Sequence, residues 1–320
     1  MKKKTTVTIG IPAYNEEANI GNLLNAMLKQ KQDKLVLDQI IVISDGSTDN
    51  TAREVRSVND KRIILINNST RRGQIYCQNR IFSQSKSDIV VLLEADTEPK
   101  NSNLIKMLVA PIVKDSDVGL VQGNIAFAQP KSFIGRILYE QAAIHYRMIT
   151  REKNLGEVFS SGRGGRAFSR RVYTQLYWPA HVPEDTYAVL WCIRNNIPIK
   201  FQGKSICIFR IPESISDFRR ARQKTIAGRT ALKKYFSAKE IRGLYSKGNK
   251  AVLVMFIKFI LTKPLYCVVY LFLKFYAEII AYNSYFSDYW EVGRSTKFVV
   301  EEEKLILRKS MKFSSSTVRL

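Results

Sequence analysis

Ile89-Val90-Val91-Leu92-Leu93-Glu94-Ala95-Asp96 is the stretch whose reading decides the fold. A short, mostly β-branched aliphatic run reads as a strand buried on both faces, as in a parallel sheet. It breaks into Glu94-Ala95-Asp96 at its carboxyl end, where open α/β sheets bind ligands. Two readings fit Asp96. It caps the turn before Pro99, or it holds a divalent cation that bridges the phosphates of a nucleotide.

The residues upstream repeat the pattern. Val7-Thr8-Ile9-Gly10-Ile11 predicts a strand that Pro12 stops, followed by Ala13-Tyr14-Asn15-Glu16-Glu17. Asn15 is placed as the N-cap of a helix whose apolar face is Ile20, Leu23, Leu24, Met27 and Leu28. A second strand, Gln39 to Ile43, ends in Ser44-Asp45-Gly46-Ser47-Thr48-Asp49, and a third, Ile63 to Ile66, leads to Arg71-Arg72-Gly73 and a helix around Ile75 to Phe82. Strand and helix alternating at this spacing predict βαβ crossovers and a parallel sheet. The strand-end loops bearing Tyr14-Asn15-Glu16, Asp45 and Asp96 then converge on one crevice.

The ordered set Pro12-Ala13-Tyr14-Asn15-Glu16, Asp45-Gly46-Ser47-Thr48-Asp49 and Glu94-Ala95-Asp96 resembles the successive signatures of family-two glycosyltransferases. The resemblance extends through Pro183-Glu184-Asp185 and Arg219-Arg220-Ala221-Arg222-Gln223. It implies an inverting enzyme of the GT-A fold, an α/β sheet flanked by helices, with a nucleotide-sugar donor, of the UDP type, and a divalent metal, Mg or Mn. Two departures stand out. The family's metal motif usually begins with Asp, where this chain has Glu94. Its last motif in polysaccharide synthases is Gln-x-x-Arg-Trp; here Arg219 holds the Gln position, Arg222 the Arg position and Gln223 the Trp position.

By that resemblance, Pro12, Ala13, Tyr14 and Glu16 form the nucleoside-binding loop, and Asp45 accepts a hydrogen bond from a uracil-type ring. The local alternative for Asp45 is an Asx-turn or helix cap. Arg72 is placed to approach the diphosphate. Ala95 and Asp96 lie on the donor side, and Asp96 with Glu94 holds the metal. Asp185 matches the general base that takes the acceptor hydroxyl's proton; its local alternative is a helix cap. Glu184 orients that turn. The small, basic stretch Ser160 to Phe168, with Gly162 and Arg163, resembles the acceptor-side loop, and glycines there allow close backbone approach. Arg219 and Arg222, at i and i+3 on a helix from Ser216, share a face that clamps pyrophosphate or is a solvated basic face.

A chain of 320 residues holds one large domain and an appendage. The expected organisation is a catalytic domain over 1–235, a basic linker with apolar helices over 236–290 and a basic tail over 291–320. Net charge is +23, and fourteen Lys and Arg face three acids between Lys200 and Lys250. Such charge suits phosphorylated substrates or anionic membranes. Nucleic acid is not an expected partner, since aromatic-plus-basic RNA-binding motifs are absent. Four cysteines without CxxC spacing argue for reduced thiols in a cytosolic setting.

The apolar segment Ala251 to Phe286 is interrupted by Lys258, Lys263-Pro264, Lys274 and Glu278. Basic residues flank it on both sides, from Arg294 to Lys312 on the far side, which disfavours a single crossing. A hairpin broken at Pro264, or two interfacial helices, keeps both flanks at the cytoplasmic face of the membrane; the alternative is a pair of soluble helices packed on the catalytic domain. That location suggests a lipid-linked or glycan acceptor. A nucleotide-sugar pyrophosphorylase is the rival enzyme, but its first loop would be glycine-rich and basic, whereas Pro12 to Glu16 is acidic. A non-catalytic basic binding module leaves Asp45, Asp96 and Asp185 unexplained.

Overall fold

Four aliphatic segments pair in parallel and set the frame: β1 (Thr5–Ala13), β2 (Leu35–Asp45), β3 (Ile63–Asn68) and β4 (Ile89–Leu92). The computed structural model describes residues 4–151, 162–246 and 249–281. Asp88 fixes where β4 enters: its carboxylate accepts from Thr6 N and Oγ1, both at 2.9 Å, while its N–H donates to Thr6 Oγ1.

Helices connect these strands: α1 (Ile20–Leu28), α2 (Thr51–Ser57) and α3 (Gln74–Gln84). The apolar stripe of α1 is buried at Ile20, Leu23, Leu24 and Met27, with Leu28 packed partly against the same core. The helix starts later than the Asn15 cap implies. Asn15 has a positive φ of 54°, and its Oδ1 accepts from Thr48 N at 2.8 Å. Its role is to join the β1 loop to the β2 loop, because the chain turns too sharply there to enter a helix.

The sheet continues through strands that the sequence reading did not assign. The short β5 (Glu98–Pro99), then β6 (Leu120–Phe127), β7 (Arg166–Ser169) and β8 (Ile199–Phe209) complete the order β3-β2-β1-β4-β7-β6-β8-β5 among the described residues. β7 runs antiparallel between β4 and β6, and β6 and β8 are parallel. The first connections run from β1 outward to β3, and the next strand, β4, lies on the other side of β1. The crevice at that reversal is where an α/β sheet places a ligand.

Helices cover both faces. With α1, α4 (Leu104–Lys114) closes one apolar core. With α3, α6 (Glu184–Arg194) closes the other, which holds the fully buried Trp178 and Phe168. α5 (Phe133–Arg151) and α7 (Ile215–Leu232) stand at the strand ends, and the Ser214 hydroxyl accepts from Asp217 N to cap α7. After α8 (Ala238–Ser246) come α9 (Asn249–Thr262) and α10 (Pro264–Ala281), separated at Lys263. Proline suits a first helical turn, where its missing N–H is no loss.

One side of α9 and α10 packs on α5 and α7 through Met255, Phe259, Cys267, Leu273 and Ala277. The other side is apolar and open: Leu253, Leu261, Leu265, Val268, Phe272, Phe275 and Ile279 are 60–77% exposed. Among the described residues, no helix is long and apolar enough to cross a membrane. The expected basic tail, the flank from Arg294 to Lys312, and Ser160-Ser161 lie outside the described residues.

Candidate active site

A cleft of about 680 Å³ opens at the carboxyl ends of β1, β2 and β4, and α5, α6 and α7 wall its far side. Pro12, Ala13, Tyr14, Glu16, Asp45, Glu94, Ala95, Asp96, Arg163, Glu184 and Asp185 all line it. Residues far apart in the chain meet here because parallel strands deliver their following loops to the same edge.

Asp45 is 4% exposed at the end of β2. Its carboxylate accepts from Asn68 Nδ2 at 2.9 Å, Arg72 N at 2.8 Å and Gly73 N at 2.7 Å. Gly46 makes this possible. It has φ +66°, and a Cβ there would lie 2.5 Å from Arg71 N, so a side chain would push the Arg71–Gly73 loop away. Burial and the Asp45 charge push the neighbouring Cys77 thiol well above its ordinary range.

This loop corrects the expectation for Arg72. Arg72 contributes its N–H to Asp45, while its guanidinium stacks on Tyr76, 4.4 Å from the ring centroid. Arg71 faces the cleft instead, its guanidinium 3.8 Å from the centroid of Tyr14. Adjacent residues in an extended loop point opposite ways, and two arginines in a row hide which one does so.

Glu94 and Asp96 leave β4 together. Arg163 reaches both from the turn Gly162–Gly164: its Nη1 donates to Asp96 Oδ2 at 2.8 Å, and its Nε lies 3.6 Å from Glu94 Oε2. Burial pushes the Glu94 carboxyl up; Arg163 pulls it down, and the charges of Asp96 and Glu184 add to the rise. For Arg163, burial opposes the charge, but Asp96 and Glu94 outweigh it and hold the guanidinium protonated. The close approach expected of the glycines is made to the chain itself. A Cβ on Gly164 would lie 2.4 Å from Gly123 O, and Gly123 N donates to Gly165 O at 2.9 Å.

At the start of α6, Asp185 Oδ1 accepts from Thr186 N at 2.6 Å and from its hydroxyl at 3.2 Å. Glu184 is 7% exposed. Its carboxylate takes Gln74 Nε2 at 3.2 Å and faces the buried Arg166 at 3.7 Å, and its carbonyl accepts from Trp178 Nε1 at 2.8 Å. A fully buried indole and a buried guanidinium therefore hold the turn that presents Asp185.

On α7 the sequence expectation is corrected by one step of the helix. Arg220, Ala221, Lys224 and Thr225 line the cleft, and Arg219 and Arg222 do not. Arg222 turns to α10, its Nη2 2.7 Å from Glu278 Oε1. Spacings of 3 and 4 mark the face Asp217, Arg220, Ala221, Lys224, Thr225, but its polarity hid it from an apolar-periodicity reading. The aromatic wall was missed for a similar reason. Phe127 and Phe209 pack edge-on with ring centroids 5.2 Å apart, and Tyr146 lies 5.3 Å from Phe127. They come from β6, β8 and α5, and no local motif links them. His145 beside them is pushed down by burial, toward the neutral imidazole.

No group of three or more His, Cys, Asp or Glu suited to a metal occurs among the described residues. Glu94 and Asp96 are two hard oxygen donors at a cleft edge. Mg²⁺ bound through one or two carboxylates and substrate phosphates needs no more than that from the protein. The donor set fits a Mg²⁺ or Mn²⁺ ion of this kind.

Residues 8–176 match the family model described as "Glycosyl transferase family 2". The chain is 25% identical over 237 residues to a poly-beta-1,6-N-acetyl-D-glucosamine synthase of Staphylococcus aureus (strain COL), covering 72% of this chain and 57% of that protein. The chain thus spans little more than half the length of that relative. Among solved structures it is similar to a mannosyltransferase of Pyrobaculum calidifontis in complex with GDP-Man and Mn²⁺, with TM-score 0.57, 17% identity, and 99% and 82% of the two chains covered. It is also similar to glucosyl-3-phosphoglycerate synthase of Mycobacterium tuberculosis in complex with Mn²⁺, UDP and phosphoglyceric acid, with TM-score 0.53, 20% identity, and 72% and 78% covered. At these identities the structural likeness speaks for the GT-A fold.

Proposed function

The chain belongs to glycosyl transferase family 2, and from that premise we propose that it moves a sugar from a nucleoside-diphosphate donor, UDP-linked, to an acceptor hydroxyl with inversion at the anomeric carbon. The observation that carries this reading is the convergence of Asp45, Glu94, Asp96 and Asp185 on one cleft. Asp45 faces the base at the cleft edge, beside Tyr14 and Glu16. Arg71, Arg220 and Lys224 bring positive charge to the side where a diphosphate would lie. Glu94 and Asp96 would hold a divalent ion, which when bound offsets the charge of the leaving diphosphate as a Lewis acid.

Asp185 receives the acceptor proton. Thr186 engages its Oδ1, so Oδ2 is the oxygen for that transfer. Thr186 and the Trp178-anchored turn fix the carboxylate, and such orientation matters as much as basicity. Screening a panel of UDP- and GDP-sugars for hydrolysis and transfer identifies the donor. With the best donor, Asp185→Asn should lose about a hundredfold or more in kcat with KM for donor nearly kept. Near-wild-type turnover would remove Asp185 from the role.

The acceptor is read as a lipid-linked or glycan hydroxyl at the cytoplasmic face of the membrane. Support comes from the open apolar side of α9 and α10 and from the fourteen Lys and Arg between Lys200 and Lys250. Two amphipathic helices lying in the interface bury such a side without crossing, and each basic residue near anionic lipid adds roughly 1 kcal/mol. The protein should float with phosphatidylglycerol vesicles in high salt, and Phe272→Glu with Phe275→Glu should release it. Full-length protein that ignores vesicles would refute this location.

A further inference from the structure

Arg163 occupies an unusual position for an acceptor-side residue. Its guanidinium lies between the two carboxylates that leave β4, with Nη1 2.8 Å from Asp96 and Nε 3.6 Å from Glu94. Glu16, from the β1 loop, adds to the negative field around it. The ring of Phe209 flanks it, 4.9 Å from Cζ to centroid. Its backbone is held in place: Gly164 meets Gly123 too closely for any side chain, and Gly165 O accepts from Gly123 N. Any withdrawal of the guanidinium is therefore a rotation of the side chain over a fixed base.

A divalent ion held by Glu94 and Asp96 would draw on the same two carboxylates, which Arg163 meets at Glu94 Oε2 and Asp96 Oδ2. Two carboxylates fully offset an ion of charge +2 and more than offset a guanidinium, but a guanidinium and an ion together exceed them and, within contact distance, repel strongly. An arriving diphosphate changes the balance, because it supplies negative charge for both cations.

We propose that Arg163 is the resident counter-cation of the Glu94–Asp96 pair, and that a divalent metal enters this site by displacing it. The inference rests on the reading that Glu94 and Asp96 are the metal-holding acids. Two consequences follow. Metal binding without nucleotide is weak, because the ion must break the Arg163 contacts. Metal and nucleoside diphosphate bind cooperatively, because the diphosphate gives the displaced guanidinium a new partner; by linkage each tightens the other equally.

The test is titration of the full-length protein with Mn²⁺, followed by loss of the free-ion electron paramagnetic resonance signal, with and without UDP, and with GDP as a second nucleotide. Arg163→Met keeps the bulk and removes the charge. It should bind Mn²⁺ alone at least about tenfold more tightly than wild type, and the gain in Mn²⁺ affinity on adding nucleotide should shrink. Arg163→Lys, which keeps a charge without the fork, should fall between. Asp96→Asn in both backgrounds should remove the high-affinity Mn²⁺. Equal or weaker Mn²⁺ binding by Arg163→Met, still dependent on Asp96, would overturn the displacement and leave the metal reading standing. Mn²⁺ binding that ignores Asp96→Asn in both backgrounds would overturn both. Thermal melts of each variant show whether it is folded, and Arg163→Lys carries the comparison should Arg163→Met unfold.

Discussion

The ends of β2 and β4 each carry an acid into the same cleft, and the two acids are held in opposite ways. Asp45 takes two backbone N–H groups and an asparagine amide, all within a few residues of its own sheet edge. Asp96 takes the tip of Arg163, a long side chain from a distant turn. The first arrangement is set once the chain folds, because backbone donors cannot leave without unfolding a loop. The second is exchangeable, because a guanidinium at 33% side-chain exposure can rotate away. An acid of the first kind organises a site; an acid of the second kind is available to a ligand.

The largest effect that tests this contrast is on turnover. Asp96→Ala should reduce kcat by about a thousandfold, the scale of losing a preorganised charge partner at the leaving group. The melting temperature should move little, because Glu94 stays beside Arg163 and still balances its charge. A strongly destabilised Asp96→Ala would make Asp96 a scaffold acid like Asp45 and erase the distinction.

Asp45→Ala should do the reverse in stability. It strands three donors at a buried position, each costing about 1–3 kcal/mol when unsatisfied. Water reaching the cleft edge recovers part of this, so a net loss of about 3 kcal/mol is expected, read as a lower urea midpoint with an unchanged m-value. Unaltered stability would show that the Arg71–Gly73 loop does not depend on Asp45.

The smallest effects should be seen at two thiols that report on the two strand ends. Cys77 lies by Asp45; burial and then the Glu94 charge push Cys207 up to about 12. Thiolate is the reactive form, so alkylation of native Cys207 should be very slow at pH 8 and keep rising with pH through 10. Asp45→Ala should speed labelling of Cys77 severalfold, by removing the charge and loosening the loop. Asp96→Ala should leave Cys207 unchanged. Equal acceleration at both sites would mean that the two acids support the fold alike.

The donor-side half was legible because its signals are local. The aliphatic runs of β1 to β4, the stripe of α1 and the acids following each strand are all contiguous in sequence. Parallel pairing then follows from the helix between each pair of strands. The misreadings in this half are equally local: Asn15 adopts a left-handed backbone, and Arg71 rather than Arg72 lines the cleft, because a loop has no periodicity to say which side chain points inward.

The far half was less legible. β6, β7 and β8 lie next to strands distant in sequence, and β7 inserts antiparallel between β4 and β6. On α7 the polar face toward the cleft is Arg220 and Lys224 because Phe218 and Ala227 are buried and Arg222 is drawn to Glu278 of α10. None of these partners is near in the chain. Glu184-Asp185 was found as a motif, but the buried Trp178 and Arg166 that hold it come from segments with no motif of their own.

The residues alone determined a parallel α/β sheet, the acids at its strand ends, the break at Lys263-Pro264 and an apolar segment between basic flanks, since each is written in contiguous patterning. Tertiary structure decided which cation meets which acid. That choice depends on distances across the sheet: Arg163 reaches Glu94 and Asp96 only because β7 pairs with β4 and glycine contacts lock the preceding turn against β6. Charge is visible in a sequence, but its partner is set by packing.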